Sequence, residues 1–132
     1  MGQPAAKMGD QITAVDTHIY MIPAAAGAPV PTPLPSPFAG MITGGCSTDV
    51  NIEGKPAATV GSTAVNNPPH VPQGGPFQVP PTNQGTIIMG SSTVMINGKP
   101  AARAGDTANT CNDPAGVAPA GTVVAAGTVN IG

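Results

Sequence analysis

Apolar and polar side chains alternate along this chain in short runs. In Thr93–Ile96, Val94 and Ile96 fall on one face and Met95 on the other, the period-two pattern of a strand. Thr86–Met89 is likewise rich in strand-favouring residues, and Gly90–Ser92 between the two runs reads as a turn. The segment Gly85–Gly98, GTIIMGSSTVMING, therefore predicts a hairpin. The pattern recurs at Gly40–Gly54 and again at Gly121–Gly132, GTVVAAGTVNIG. Nowhere does the chain predict a substantial helix. The fold class that follows is all-β, built from three copies of one unit.

A longer phrase confirms the repeat. V-x-I-x-G-K-P-A-A followed by x-x-G-[DS] stands at Val50–Ser62 as VNIEGKPAATVGS and at Val94–Asp106 as VMINGKPAARAGD. The chain opens on the second half of the phrase, GQPAAKMGD at Gly2–Asp10, and closes on the first half, VNIG at Val129–Gly132. Joining the ends completes a third unit. This predicts a closed, pseudo-three-fold domain spanning 1–132, with Gly132 close to Gly2. Pro4, Pro56 and Pro100 suit a strand start or edge. The paired alanines Ala5–Ala6, Ala57–Ala58 and Ala101–Ala102 suit a place where three backbones crowd near an axis. Gly9, Gly61 and Gly105 supply turns. Asp10, Ser62 and Asp106 are expected to close those turns through a backbone N–H two residues on.

Between the units lie long loops. Ile22–Phe38 carries alternating prolines that favour extended polyproline geometry. Asn66–Gln84 is similar, with Pro68–Pro69 and Pro80–Pro81, and Asn109–Ala120 is the shortest of the three.

Composition narrows the function classes. Gly (18) and Pro (17) exceed a quarter of the chain, which without a period would mean low complexity. Aromatics are 2% and Trp is absent, so burial must come from Val, Ile, Ala and Met, and a core of this kind needs a staple. A net charge of −2 without a basic stripe argues against nucleic acid. No apolar run approaches the roughly 20 residues that span a bilayer, and Met1–Asp10 lacks the character of a signal peptide. Synthesis in the cytoplasm is expected. Two cysteines are too few for a disulfide framework.

The candidate chemistry follows each copy of the phrase. His18 lies nine residues after Gly9 and His70 nine residues after Gly61. The third unit has no histidine, but Cys111 lies six residues after Gly105 in the equivalent loop. Three-fold related units would bring two imidazoles and one thiolate around one axis, a donor set that suits a structural zinc ion. Such a metal would supply folding free energy that the core lacks. Cys46 is a fourth candidate by chemistry, although it sits in a different part of the repeat. It is also readable as a small buried hydrophobe, and a disulfide to Cys111 is a third possibility. Asp16, two residues before His18, reads as a partner behind a ligand or as a solvated loop residue.

GKPAARAGD, GKPAATVGS and QPAAKMGD resemble the proline–alanine–alanine–arginine repeat family, the PAAR proteins. PTPLPSPF at Pro31–Phe38 and NNPPH at Asn66–His70 resemble its PAAR-like branch. The resemblance covers nearly the whole chain. It implies a small conical β-domain that caps the trimeric β-helical spike of contractile injection machines such as type VI secretion systems, phage tails or extracellular injection particles. It also implies zinc held by His and Cys near the point. The partners implied are one trimeric spike protein, effector proteins and, transiently, a target membrane. Export at the tip of the particle follows on firing. A family histidine is expected within Leu34–Phe38, where this chain has Ser36, so the resemblance extends to His18, His70 and Cys111 but leaves the fourth position open.

A structural tip needs no catalysis, and no catalytic residue is assigned. The chain ends at Gly132 within its closing strand, so an effector is expected to bind separately. An adaptor recruiting effectors through Ile22–Phe38 and Asn66–Pro81 is the alternative. A zinc-dependent hydrolase, with Asp16 as base, is a remote third reading.

Overall fold

The computed structural model describes residues 2–25, 27–66, 69–112 and 116–132, with backbone alone for residue 112 and residues 116–120. Among the described residues there is no helix, and the strands number twelve. They are β1 (Gln3–Pro4), β2 (Gln11–Ile22), β3 (Val30–Gly44), β4 (Asn51–Ile52), β5 (Lys55–Pro56), β6 (Thr63–Asn66), β7 (Gln84–Ile87), β8 (Met95–Ile96), β9 (Lys99–Pro100), β10 (Thr107–Asn112), β11 (Gly116–Val124) and β12 (Asn130–Ile131).

Three two-stranded ladders repeat one another. β4 pairs β5, β8 pairs β9 and β1 pairs β12. The first two turn on Glu53–Gly54 and Asn97–Gly98, whose φ angles are all positive, as two-residue hairpin turns require. The third is assembled from the two ends of the chain, and Gly2 lies so close to the Ile131 carbonyl that a Cβ there would sit 2.7 Å from it. The termini therefore meet, as the split phrase demands.

The alanines mark the axis. Ala6 N–H donates to the Ala102 carbonyl at 2.9 Å, Ala102 N–H to Ala58 at 3.0 Å, and Ala58 N–H to Ala6 at 3.0 Å. These bonds close a three-membered ring, and all three residues are fully buried. Any larger side chain would hold the backbones apart. Ile52, Ile96 and Ile131 gather with Ala5, Ala57 and Ala101 on one side of the ring. On the other side Ile42, Ile87 and Val123, then Ile12, Ala64 and Ala108, fill a closed barrel of order β10-β11-β2-β3-β6-β7.

Three local expectations need correction. The segments on either side of Gly90–Ser92 do not pair with each other. β7 joins β6 and β10 in the barrel, while β8 turns away to β9. The Ser91 hydroxyl accepts bonds from Thr93 and Val94 N–H at 3.1 and 2.9 Å and redirects the chain. Ser47 does the same for Asp49 and Val50. Where the third unit has Ala126 instead, the Glu53 carboxylate accepts from Thr128 N–H at 3.1 Å.

The Pro-rich run is not a free polyproline loop. β3 pairs β2 continuously from Val30↔Ile22 to Met41↔Gln11. Pro31, Pro33, Pro35 and Pro37 occupy alternate positions, so their missing N–H groups share one edge, and the ladder to β6 covers only Gly40–Gly44. The β2 ladder takes its donors from the residues between them. Most of Asn109–Ala120 is likewise strand, in β10 and β11.

The turn-closing side chains also act in the opposite direction to that expected. Asp10, Ser62 and Asp106 accept from Lys7, Thr59 and Arg103 N–H, three residues back, at 3.0, 2.9 and 2.7 Å. The positive φ of Gly9, Gly61 and Gly105 folds each side chain back over its own turn.

Candidate metal centre

The barrel end farthest from the alanine ring is polar inside. On β2 the inward face runs Ile12, Ala14, Asp16, His18 and Tyr20, at strictly alternate positions. Strand periodicity thus commits Asp16 and His18 to one interior, with 0% and 1% exposure. The long hairpin partner β3 places Ser36 opposite Asp16. Ser36 is buried and bonded to the Tyr20 hydroxyl at 2.6 Å and to Gln73 Nε2 at 3.1 Å.

The second repeat contributes His70, just past β6. Its backbone N–H donates to Asn83 Oδ1 at 2.8 Å, and its ring is nearly sealed from solvent. The third repeat contributes Cys111 from β10. The β10–β11 ladder shifts register between Ala108 and Thr110, and beyond that irregularity both Thr110 and Cys111 are buried.

The three units converge on Asp16. His70 Nε2 lies 3.1 Å from Asp16 Oδ2, Cys111 Sγ 3.4 Å from the same oxygen, and Cys111 Sγ 3.6 Å from His18 Nε2. The Thr110 hydroxyl donates to Asp16 Oδ1. One ligand atom from each of Asp16, His18, His70 and Cys111 falls within 4.8 Å of the others. The imidazoles of His18 and His70 are 4.7 Å apart between centroids, with Phe77 edge-on to His18 at 5.8 Å.

The set can be tested against an ion. Zinc takes nitrogen, sulfur and carboxylate oxygen at ~2.0–2.3 Å, and four such bonds in a tetrahedron separate the ligand atoms by about 3.3–3.6 Å. Three of the six separations, 3.1, 3.4 and 3.6 Å, approach that spacing, and all six lie within 4.8 Å. The residues present fit a closed four-ligand site of mixed nitrogen, sulfur and oxygen character. Burial pushes the Cys111 thiol up from its ordinary value, and the Asp16 carboxylate pushes the same way. Without a metal the thiol is held protonated, in keeping with S–H donation to Asp16.

Of the residues singled out from sequence, the structure brings His18, His70 and Cys111 together. Cys46 is not among them. It packs half-buried beside the alanine-ring end, in the turn that follows β3, with Sγ 3.8 Å from the Gly44 carbonyl. Both cysteines are free thiols, so the disulfide is not formed. Asp16 stands in the cluster where Cys46 does not, and it is neither solvated nor in a loop. Its position two residues before His18 on one strand was the available signal, and it became decisive only with the strand register known.

A family model described as the PAAR motif matches residues 35–114 and 77–132. No curated protein matches the chain.

Proposed function

Because this chain belongs to the PAAR-motif family, we propose that it is the spike-tip protein of a contractile injection system. In this reading one copy caps a trimeric β-helical spike and forms a metal-stabilised point. The observation that carries it is the ring of Ala6, Ala58 and Ala102, through which a single chain presents three near-equivalent backbones about one axis. One polypeptide can meet three identical partners only with that internal symmetry.

The acidic, imidazole and thiol groups at the opposite end support the second half of the reading. Asp16 and His18 come from the first repeat, His70 from the second and Cys111 from the third. Zinc held by these four would tie the three hairpins together at the end that meets resistance. Burial of Asp16, His18 and Cys111 leaves little access for a substrate, which suits a structural rather than a catalytic ion. A bound ion would supply cross-linking strength, and Asp16, His18, His70 and Cys111 would supply the closed cage.

Co-purification with a trimeric spike protein encoded beside this chain tests the capping role. Native mass spectrometry should give one copy per spike trimer. Three copies per trimer, or no complex, would refute it.

The adaptor reading has an observation of its own. The outward face of the β2–β3 hairpin carries Pro31, Pro33, Pro35 and Pro37, all exposed, beside Val15. A rigid, uncharged ridge of this kind is a suitable contact for an effector. Loss of effector export with retention of spike binding, in a variant replacing these four prolines by serine, would favour it.

A further inference from the structure

Asn66 is 3% exposed, and one backbone donor fixes its side-chain orientation while a second fixes that of Asn83. Ala39 N–H donates to Asn66 Oδ1 at 2.9 Å, which identifies that atom as the carbonyl oxygen. His70 N–H donates to Asn83 Oδ1 at 2.8 Å, which identifies that atom likewise. The Asn66 amide nitrogen then donates to Asn83 Oδ1 at 3.2 Å and faces His70 Nδ1 at 3.4 Å. A backbone N–H cannot accept, so turning either amide sets donor against donor. His70 Nδ1 is therefore an acceptor. A neutral imidazole with Nδ1 bare carries its proton on Nε2, the atom that meets Asp16 Oδ2 at 3.1 Å.

We propose that Asn66 is a positioning residue that sets the His70 tautomer and thereby weakens His70 as a metal ligand. The inference rests on the metal-centre reading. Ligation through Nε2 needs the lone pair at that atom and moves the ring proton to Nδ1. There it meets the Asn66 amide nitrogen, another donor. A ligating histidine ordinarily has an acceptor behind it, a carboxylate or a carbonyl. This chain has the reverse. For His70 to ligate, the Asn66–Asn83 pair must turn and give up the bonds from Ala39 and His70 N–H. A cavity of about 250 Å³ lined by Asn66, His70, Pro69, Val71 and Gln73 leaves room for that movement. The site is three firm ligands, Asp16, His18 and Cys111, with a fourth that binds at the expense of its own support.

Two measurements on the full chain test this. Nitrogen–proton correlation spectra of the metal-free protein report which ring nitrogen of His70 is protonated, and Nε2 is expected. Competition for zinc against a chromophoric chelator then compares wild type with Asn66→Asp and Asn66→Ala. Asn66→Asp, which puts an acceptor behind Nδ1, should bind zinc about 10-fold tighter or more. Asn66→Ala, which only removes the opposing donor, should fall between. A His70 proton on Nδ1 in the metal-free wild type, or a folded Asn66→Asp that binds zinc no tighter, overturns the proposal. If Asn66→Asp does not fold, the wild-type tautomer decides. Absence of any zinc binding by the wild type would instead sink the metal reading, and the tautomer would still report on Asn66.

Discussion

Gly40→Ala is expected to unfold the barrel at markedly lower temperature. A Cβ at Gly40 would lie 2.7 Å from Phe38 Cε1, 3.0 Å from Cζ and 3.1 Å from Ala64 Cβ. Carbon atoms in favourable contact sit about 3.5–4.0 Å apart, so the overlap with the ring edge is roughly 0.8 Å. The ring is 2% exposed, so it moves only by displacing packed neighbours. Gly40 has an ordinary φ, so backbone strain adds nothing and the whole cost is steric. Overpacking of this kind costs about 1–3 kcal/mol, and a buried aromatic ring belongs at the upper end. At roughly 3–5 °C per kcal/mol for a domain of this size, Tm should fall by about 6–15 °C. The assay is thermal denaturation followed by circular dichroism, with zinc saturating and with chelator. A double-mutant cycle isolates the contact, because Phe38→Leu withdraws the ring atoms that clash. Gly40→Ala should cost less than half as much in that background. Equal cost in both backgrounds, with coupling below about 0.5 kcal/mol, would refute the steric reasoning. Phe38 also lies 6.2 Å from the His70 ring, so the clash should weaken zinc binding as well.

Two further outcomes follow from the site and from Cys46. Wild-type protein should lose Tm on chelation, whereas the His18→Ala, His70→Ala double variant should hold less zinc and be indifferent to chelator; equal zinc in both would remove the metal assignment. Burial pushes the Cys46 thiol above its ordinary value, against a smaller opposing effect from the Ser62 hydroxyl. The folded protein then keeps Cys46 protonated where the unfolded chain has begun to ionise. Its contribution to stability is whole below the ordinary thiol pKa and declines as pH rises past it. Denaturation midpoints on the alkaline side should therefore improve in Cys46→Ser, and Cys46 should label more slowly at neutral pH than a free thiol. A midpoint that falls with pH identically in both proteins would contradict this.

Much of the fold was readable from residue order because the repeat is written in the backbone-demanding positions. The axial ring demands small side chains and the φ of Gly9, Gly61 and Gly105 favours glycine, so one phrase recurs three times and its split copy implies that the termini meet. The hairpin assignment failed for a reason of the same kind. Period-two alternation identifies a strand but not its partner. Thr86–Ile87 and Val94–Ile96 satisfy the pattern equally whether they pair with each other or, as happens, with separate sheets. The Pro-rich run misled because proline is scored against strands in general, whereas alternate prolines on one edge cost a ladder nothing on the other.

The chain alone determined the repeat, the meeting of its ends, and the convergence of His18, His70 and Cys111, since each follows from spacing within a unit used three times. Tertiary structure alone decided the fourth member. By chemistry Cys46 is the candidate, and Asp16 reads from sequence as a partner behind a ligand or a solvated residue. Their true places depend on which way a strand faces and at which end of the barrel a turn lies. Continuous pairing of β2 with β3 buries Asp16 beside His18, while the turn after β3 carries Cys46 to the alanine-ring end. The His70 tautomer is likewise beyond reach of the sequence. It depends on Ala39 N–H, Asn66 and Asn83 meeting across strands and a loop, a contact with no trace in linear order.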